Sequence, residues 1–433
     1  VLSGDFASPS LLGTLKLGTD KIAGQQMVDA MNAVGVDLVT FGNHEFDLKE
    51  HQIQARIDES AFDWTSCNVL HRQEGNVAPW TKNGQPVPRY SILRLPVPDG
   101  ADLRVGFVGV TLPFNQQDYV AYLDVDSAYS ATVREIRDSC DVVLGITHLE
   151  MAHDLELAAK VPEVPLVLGG HDHTHMDSIV GPVSVTKADA NAKTVYVHRI
   201  TWHPATGKTA VNSTLVTIDG SIPFDPEAEA VVQKWIDIGD SSMRAMGYEP
   251  YEVVYATDDM LDGRESSIRY GQTNLGGLIV GAMAMTQPAA DVAFFNSGSV
   301  RLDDQLTGKI TQYDILRTLP YGGGLAYATV SGRQLAEVLE IGTVKNVGLG
   351  GYFQLSGAEK QADQWMVKGT ALDPDGSYSI VLTDFLASGR EANLEMLAGI
   401  DADIPEQVLD TLKNDIRDVL MVYLRSGAAQ STP

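Results

Sequence analysis

Cysteine is scarce. Cys67 and Cys140 are the only two in 433 residues. Both sit in apolar, strand-like contexts, so two buried free thiols are expected rather than a disulfide. Two cysteines leave the redox compartment open. Positive charge is short as well. The 31 Lys and Arg face 57 Asp and Glu, a net charge of -26, which argues against nucleic acid as a partner because its phosphates would be repelled. An anionic small molecule is not excluded, since a bound metal ion can invert the local field. The acidic balance suits a protein that stays soluble outside a cell or in a salty medium. No apolar run approaches the ~20 residues that cross a bilayer, and no internal repeat or low-complexity segment is found. The chain opens at Val1-Leu2-Ser3-Gly4-Asp5 without an initiator Met or a basic and then apolar leader. The expectation is that residues precede Val1, and that any targeting signal lies among them.

What is present is an ordinary globular composition, with 44% hydrophobic and 20% charged residues, in a chain too long for one core. Residues 1 to about 220 alternate strands with helices. Strands are expected at Val36–Phe41, Trp64–Leu70, Tyr90–Leu95, Leu103–Val110, Val142–Thr147, Leu166–Gly169 and Thr194–Trp202. Helices are expected at Gly24–Val34, His51–Glu59, Ala128–Ser139 and His153–Lys160. Such alternation predicts an α/β layered core. Asp225-Pro226-Glu227 opens a connecting helix through residue 246, with Asp as cap and Pro in the first turn. The second domain has strands at Tyr251–Thr257, Asp291–Asn296, Gly324–Val330 and Tyr378–Thr383, and a long helix around Asn274–Met283. It closes with a helix over Glu406–Arg425, and a small polar tail, Ser426–Pro433, is expected to be disordered.

The chemistry-bearing residues gather after apolar runs. They are Gly4-Asp5, Gly42-Asn43-His44-Glu45-Phe46-Asp47, Thr147-His148, and Gly169-Gly170-His171-Asp172-His173-Thr174-His175. An α/β sheet brings such strand ends to one edge. A carboxylate, an amide oxygen and several imidazoles suit Mn, Zn or Fe better than Ca or Mg. Asp5 could equally be a turn aspartate, His148 a hydrogen-bonded structural histidine, and the Asn43–Asp47 stretch a capped turn. Three histidines spaced two apart after Gly-Gly are harder to explain without a metal, with His173 as the second ligand and His175 in support.

These motifs resemble the 5'-nucleotidase family, and the resemblance covers almost the whole chain. It implies a four-layer α/β/β/α metallophosphoesterase sandwich over residues 1–222, a connecting helix over 223–250, and an α+β nucleotide-recognition domain over 251–433. It implies two divalent metal ions. Asp5 would bridge them, Asn43, His148 and His171 would complete one site, and His173 would serve the other. His44, oriented by Asp47, would stabilise the attacked phosphoryl group while a metal-activated hydroxide releases phosphate from nucleoside 5'-monophosphates. The family also carries an Asp-x-His a few tens of residues before the position of Gly4-Asp5. No such motif occurs in this sequence.

In the second domain, Gly263-Arg264 through Arg269, Asn296-Ser-Gly-Ser-Val-Arg301, Leu319-Pro320-Tyr321-Gly322 and Thr383-Asp384-Phe385-Leu386-Ala387 resemble the family's substrate segments. Arg269, then Arg264, and Arg301 would bind phosphate. Asn296 would reach the substrate, and Tyr321 and Phe385 would stack the base. Ser388-Gly389-Arg390-Glu391 departs from the family's Gly-Gly-Asp-Gly. Glu391 would take over the sugar-hydroxyl contact, and Arg390 adds a charge. The departure leaves room for 2',3'-cyclic nucleotides, nucleotide sugars or sulfate-thiol esters as substrates, and the absent Asp-x-His leaves room for a silent nucleotide-binding protein. A periplasmic, secreted or cell-surface location follows from the family and the acidic surface. The two domains would move to admit substrate. Oligomeric state is not legible.

Overall fold

The computed structural model describes residues 1–97 and 100–428. Residues 429–433 of the expected polar tail lie outside them. The chain divides into two compact units, Val1–Gly239 and Asp240–Pro433, and the division falls inside the helix Pro226–Ala245.

The first unit is built on a six-stranded sheet. Its order is Met176–Val180, Val183–Lys187, Leu166–Gly169, Val142–His148, Leu103–Thr111 and Tyr90–Leu95. The four inner strands run parallel and the two edges antiparallel. Val142–His148 is buried at every residue, as a strand covered on both faces must be. Val143 packs with Val133, Ile136 and Leu157 of the helices Val125–Ile136 and Met151–Lys160. Val142, Leu144 and Ile146 face the other way, toward Leu38 and toward Trp202 and Val211 of the hairpin Thr194–His203/Lys208–Thr217. Beyond Leu38 a third core joins Phe6, Phe41 and Trp64 to the helices Gln25–Ala33 and Glu50–Glu59 through Val28, Met31, Ile53 and Ile57. The layering is therefore α/β/β/α.

Two expected strands are shorter than their apolar runs. Within Val36–Phe41 only Leu38–Val39 pairs, with Asp63–Trp64 on one side and Leu2 on the other. The expected strand Trp64–Leu70 splits into Asp63–Trp64 and Val69–Gln73. Both thiols are free, but Cys140 is only half-buried.

The second unit carries a mixed five-stranded sheet in the order Phe353–Ser356, Val292–Asn296, Ser377–Thr383, Leu325–Ser331 and Ala402–Asp403. The helix Asn274–Thr286 is apolar almost all round, and it packs on Ile416–Arg425. The expected single helix over Glu406–Arg425 is corrected. Gln407–Val408 and Leu412–Lys413 form a small antiparallel pair, and only Ile416–Arg425 is helical. Leu409 and Asp410 take φ of 49° and 69°, which turns the chain, and Asp415 caps the helix by accepting from Arg417 N. Among the described residues no helix is long and apolar enough to cross a membrane.

Candidate metal centre and substrate residues

Leu2 bridges Val39 in parallel, so the turns Ser3-Gly4-Asp5 and Phe41-Gly42-Asn43 leave the sheet side by side. Their backbones nearly touch. A Cβ on Gly4 would lie 2.3 Å from Gly42 N, and one on Gly42 would lie 2.2 Å from Asp5 Oδ1. Only glycine fits such an approach. Glu45, fully buried, clamps the two turns. Its Oε2 accepts from Asp5 N at 2.8 Å and Gly42 N at 2.6 Å, and its Oε1 accepts from Phe6 N at 2.9 Å and Ala7 N at 3.1 Å. Burial, and then the neighbouring Asp5 charge, raise its pKa.

Four side chains from separate turns then converge. His148 ends the central strand, and its Nδ1 donates to Ser3 O at 2.5 Å. That bond fixes the tautomer, so in the neutral ring Nε2 presents a lone pair. Nε2 lies 2.9 Å from Asp5 Oδ2 and 3.2 Å from Asn43 Oδ1. His171 joins them, with ligand atoms of Asp5, His148 and His171 all within 4.8 Å of one another. Asp5 Oδ2 is buried and accepts no hydrogen bond of good geometry, despite its closeness to Nε2.

Lone pairs facing one another in a buried site call for a proton or a cation between them. Burial pushes Asp5 up, but His148, with help from His44, holds it down at about 2. Burial works against charge on His148, while Asp5 and the Ser3 carbonyl bring its pKa above the usual value. His171 is lowered to about 4 by burial and then by His148, so its ring is neutral near pH 7 and can donate a lone pair. Asp5 and His171 both sit at positive φ, 59° and 79°, a conformation costly for such residues and concentrated at functional sites. The donor set, the orphaned carboxylate oxygen and the strained backbone all fit a divalent cation.

His173, also at positive φ of 56°, is not among those mutually close ligand atoms. His175 Nε2 meets Tyr196 OH at 2.7 Å instead. His44 lies beside the cluster. Its main-chain N donates to Asp5 Oδ1 at 2.7 Å, and its Nδ1 meets Asp47 Oδ2 at 2.8 Å. Asp47 is itself held by Ser8 Oγ at 2.9 Å and Asn115 Nδ2 at 2.6 Å. Ser8, Asn115 and the clamp role of Glu45 were not legible in the sequence. Their partners lie about 40 to 70 positions away, and no local motif marks them.

In the second unit, Asn296 ends the strand Val292–Asn296, and its Nδ2 donates to Glu391 Oε2 at 2.7 Å. Burial raises the Glu391 pKa, while Asn296 and the charges of Arg301 and Arg269 pull it down. The two arginines therefore lie near that carboxylate. Each has a buried Nε without a hydrogen-bond partner. Arg269 pairs with Glu265. The Arg301 guanidinium lies 6.0 Å from the Tyr321 ring centroid, and that of Arg390 lies 5.5 Å from the Phe385 ring. The two aromatic segments are tied together, because Gly324 N donates to Asp384 Oδ2 and Asp384 N to Gly324 O, both at 2.9 Å. Arg264 stands apart, gripped by both oxygens of Asp262 at 2.9 and 2.6 Å. Gln354 was missed by sequence reasoning. Fully buried, it donates to Ile268 O and Gly271 O and accepts from Thr273 N, so it holds the Arg269 segment.

Fold and geometry define a class: a layered α/β/β/α unit with a carboxylate, an amide and imidazoles gathered at its strand ends, followed by an α+β unit that carries Arg269, Arg301 and Glu391. Residues 253–399 match the family described as 5'-nucleotidase, C-terminal domain. The chain is 27% identical over 376 residues to the trifunctional nucleotide phosphoesterase protein YfkN of Bacillus subtilis, covering 76% of this chain and 25% of that protein. It is 26% identical over 425 residues to the human 5'-nucleotidase, covering 85% of this chain and 71% of that one. The crystal structure of a 5'-nucleotidase precursor from Thermus thermophilus superposes with a TM-score of 0.70 at 21% identity, over 93% of this chain and 83% of that one. Residues 253–399 thus match the 5'-nucleotidase C-terminal domain, and the likenesses over the longer chain support the 5'-nucleotidase family.

Proposed function

We propose that this chain is a cation-dependent phosphohydrolase that releases phosphate from nucleoside 5'-monophosphates. The observation that carries the proposal is the convergence of Asp5 Oδ2, Asn43 Oδ1, His148 Nε2 and His171. Those four residues would hold one divalent ion, and Asp5 with His173 would contribute to a second. The mixed oxygen and imidazole set suits Mn, Zn or Fe. A divalent cation held there supplies Lewis-acid polarisation of a phosphoryl oxygen and a more acidic water. His44, its ring fixed by Asp47 at 2.8 Å, would offset charge developing on the phosphoryl group or meet the leaving oxygen.

In the second unit, Arg269 and Arg301 would bind an anionic group of the nucleotide through planar forks, with Arg264 held back by Asp262. Asn296 and Glu391 would receive sugar hydroxyls, and Tyr321 and Phe385 would offer faces to the base. Relatives named 5'-nucleotidase and nucleotide phosphoesterase support nucleotide phosphoesters as the substrate class.

The test is phosphate release from AMP by the purified protein, with Mn²⁺ and again with chelator. Release that Mn²⁺ supports and chelator abolishes is expected. AMP left intact under both conditions, while it still binds by calorimetry, would overturn the hydrolase and leave a nucleotide-binding protein.

A further inference from the structure

Behind the ligand cluster lies a buried ion network that the proposed reaction does not use. Lys187 ends the strand Val183–Lys187, and its side chain is 1% exposed. Its register partner on the neighbouring strand is Gly169, where a Cβ would lie 2.8 Å from Lys187 Cε. The lysine stem fills the space a side chain at 169 would need. Lys187 Nζ then reaches four oxygens. They are Leu149 O at 2.5 Å, Gly170 O at 2.9 Å, Asp172 Oδ2 at 2.5 Å and Asp154 Oδ2 at 2.7 Å.

The identity of those partners matters. Leu149 follows His148 in the chain. Gly170 and Asp172 flank His171, and Asp172 precedes His173. One ammonium thus joins the two strand-end turns that carry the candidate imidazole ligands. Asp154, fully buried on the helix Met151–Lys160, holds that ammonium from behind.

Stability alone is a weak account of this network. An ammonium and a carboxylate taken out of water lose solvation that their attraction repays only in part, and apolar residues of similar volume often serve as well or better. What a lysine adds over a methionine here is direction, because its donors pull named carbonyls and carboxylates of both ligand turns toward one point. Partners behind metal ligands act in this way on orientation and affinity.

We propose that Lys187 is a positioning residue for the cation centre. It fixes the spacing of the His148 and His171 turns through Leu149, Gly170 and Asp172. The inference rests on the proposed function only in taking His148 and His171 as cation ligands.

The experiment uses the full chain, stripped with chelator and titrated with Mn²⁺ under paramagnetic resonance detection. Lys187→Met is expected to bind Mn²⁺ about 10–100-fold more weakly than the wild type. Lys187→Arg, which keeps a cation and its donors, is expected to recover part of that loss. With Mn²⁺ in saturating excess, Lys187→Met should regain most of its kcat for AMP at an unchanged KM. Wild-type Mn²⁺ affinity in Lys187→Met, whatever its melting temperature, would overturn the role. Should that variant fail to fold, Asp154→Asn removes the carboxylate behind the lysine at constant shape. Weaker Mn²⁺ binding there supports the inference, and unchanged binding refutes it. A wild-type chain that binds Mn²⁺ but leaves AMP intact would sink the proposed reaction, and the variant affinities would still decide the role of Lys187.

Discussion

Glu45 illustrates what one residue's type does and does not disclose. In sequence it stands among ligand-type groups, Asn43, His44 and Asp47, and nothing local separates it from them. In the structure it accepts four backbone N–H groups, from Gly42 and from Asp5, Phe6 and Ala7. Its charge is neutralised by amide dipoles rather than by a cation. Asp5, in contrast, keeps one buried oxygen without a well-directed donor, and that oxygen faces His148. The ligand-type residues at strand ends stood out in the sequence because each follows an apolar run. The clamp did not, since Asp5, Phe6 and Ala7 lie about 40 positions upstream. Glu45→Gln replaces one acceptor by an N–H₂ group that confronts two backbone donors. A loss of about 3 kcal/mol is expected, read as a lower urea midpoint at unchanged slope, together with weaker Mn²⁺ binding as the Asp5 turn loosens. An unchanged midpoint would show that the clamp contributes nothing to stability.

At the scale of elements, period and burial were read well where a segment is covered on both faces. Val142–His148 and Leu166–Gly169 match the expected strands to within a residue, because short, continuous apolar runs between turns leave one solution. The helix expected over Glu406–Arg425 failed in its first half. Val408, Leu409 and Leu412 recur at helical spacing, yet Val408 is buried while Leu409 lies in the left-handed region. Tertiary pairing there overrides period. Asn414 takes part by donating to Leu325 O and Pro405 O and accepting from Leu325 N.

The strand Phe353–Ser356 plays a similar part for the proposed substrate residues. Gln354 on that strand satisfies Ile268 O, Gly271 O and Thr273 N, and Gly276 permits it, since a Cβ there would lie 2.0 Å from Gln354 Oε1. Gln354→Leu is close in size but leaves three backbone groups unpaired. We expect a loss of about 3 kcal/mol and a KM for AMP that rises more than kcat falls, because the segment it frees carries Arg269. Steady-state kinetics beside urea unfolding checks both. A destabilised variant with wild-type KM would remove Arg269 from substrate binding.

For the molecule as a whole, the two units have separate cores and separate proposed tasks. The proposed cation ligands Asp5, Asn43, His148 and His171 all belong to Val1–Gly239, and the arginines and aromatics proposed for the nucleotide all belong to Asp240–Pro433. A ligand that binds only the native form of one unit stabilises that unit by mass action, about 2.7 kcal/mol at a hundredfold excess over its Kd. Calorimetry on the chelator-stripped chain should therefore resolve two transitions. Added Mn²⁺ should raise one of them by several degrees and leave the other in place. The unit concerned can be identified from the variants, since Glu45→Gln should lower the Mn²⁺-sensitive transition and Gln354→Leu the insensitive one. If Mn²⁺ raised the transition that Gln354→Leu lowers, the cation would be binding outside the Asp5–His148–His171 cluster. The metal assignment would then be lost, although the fold would stand.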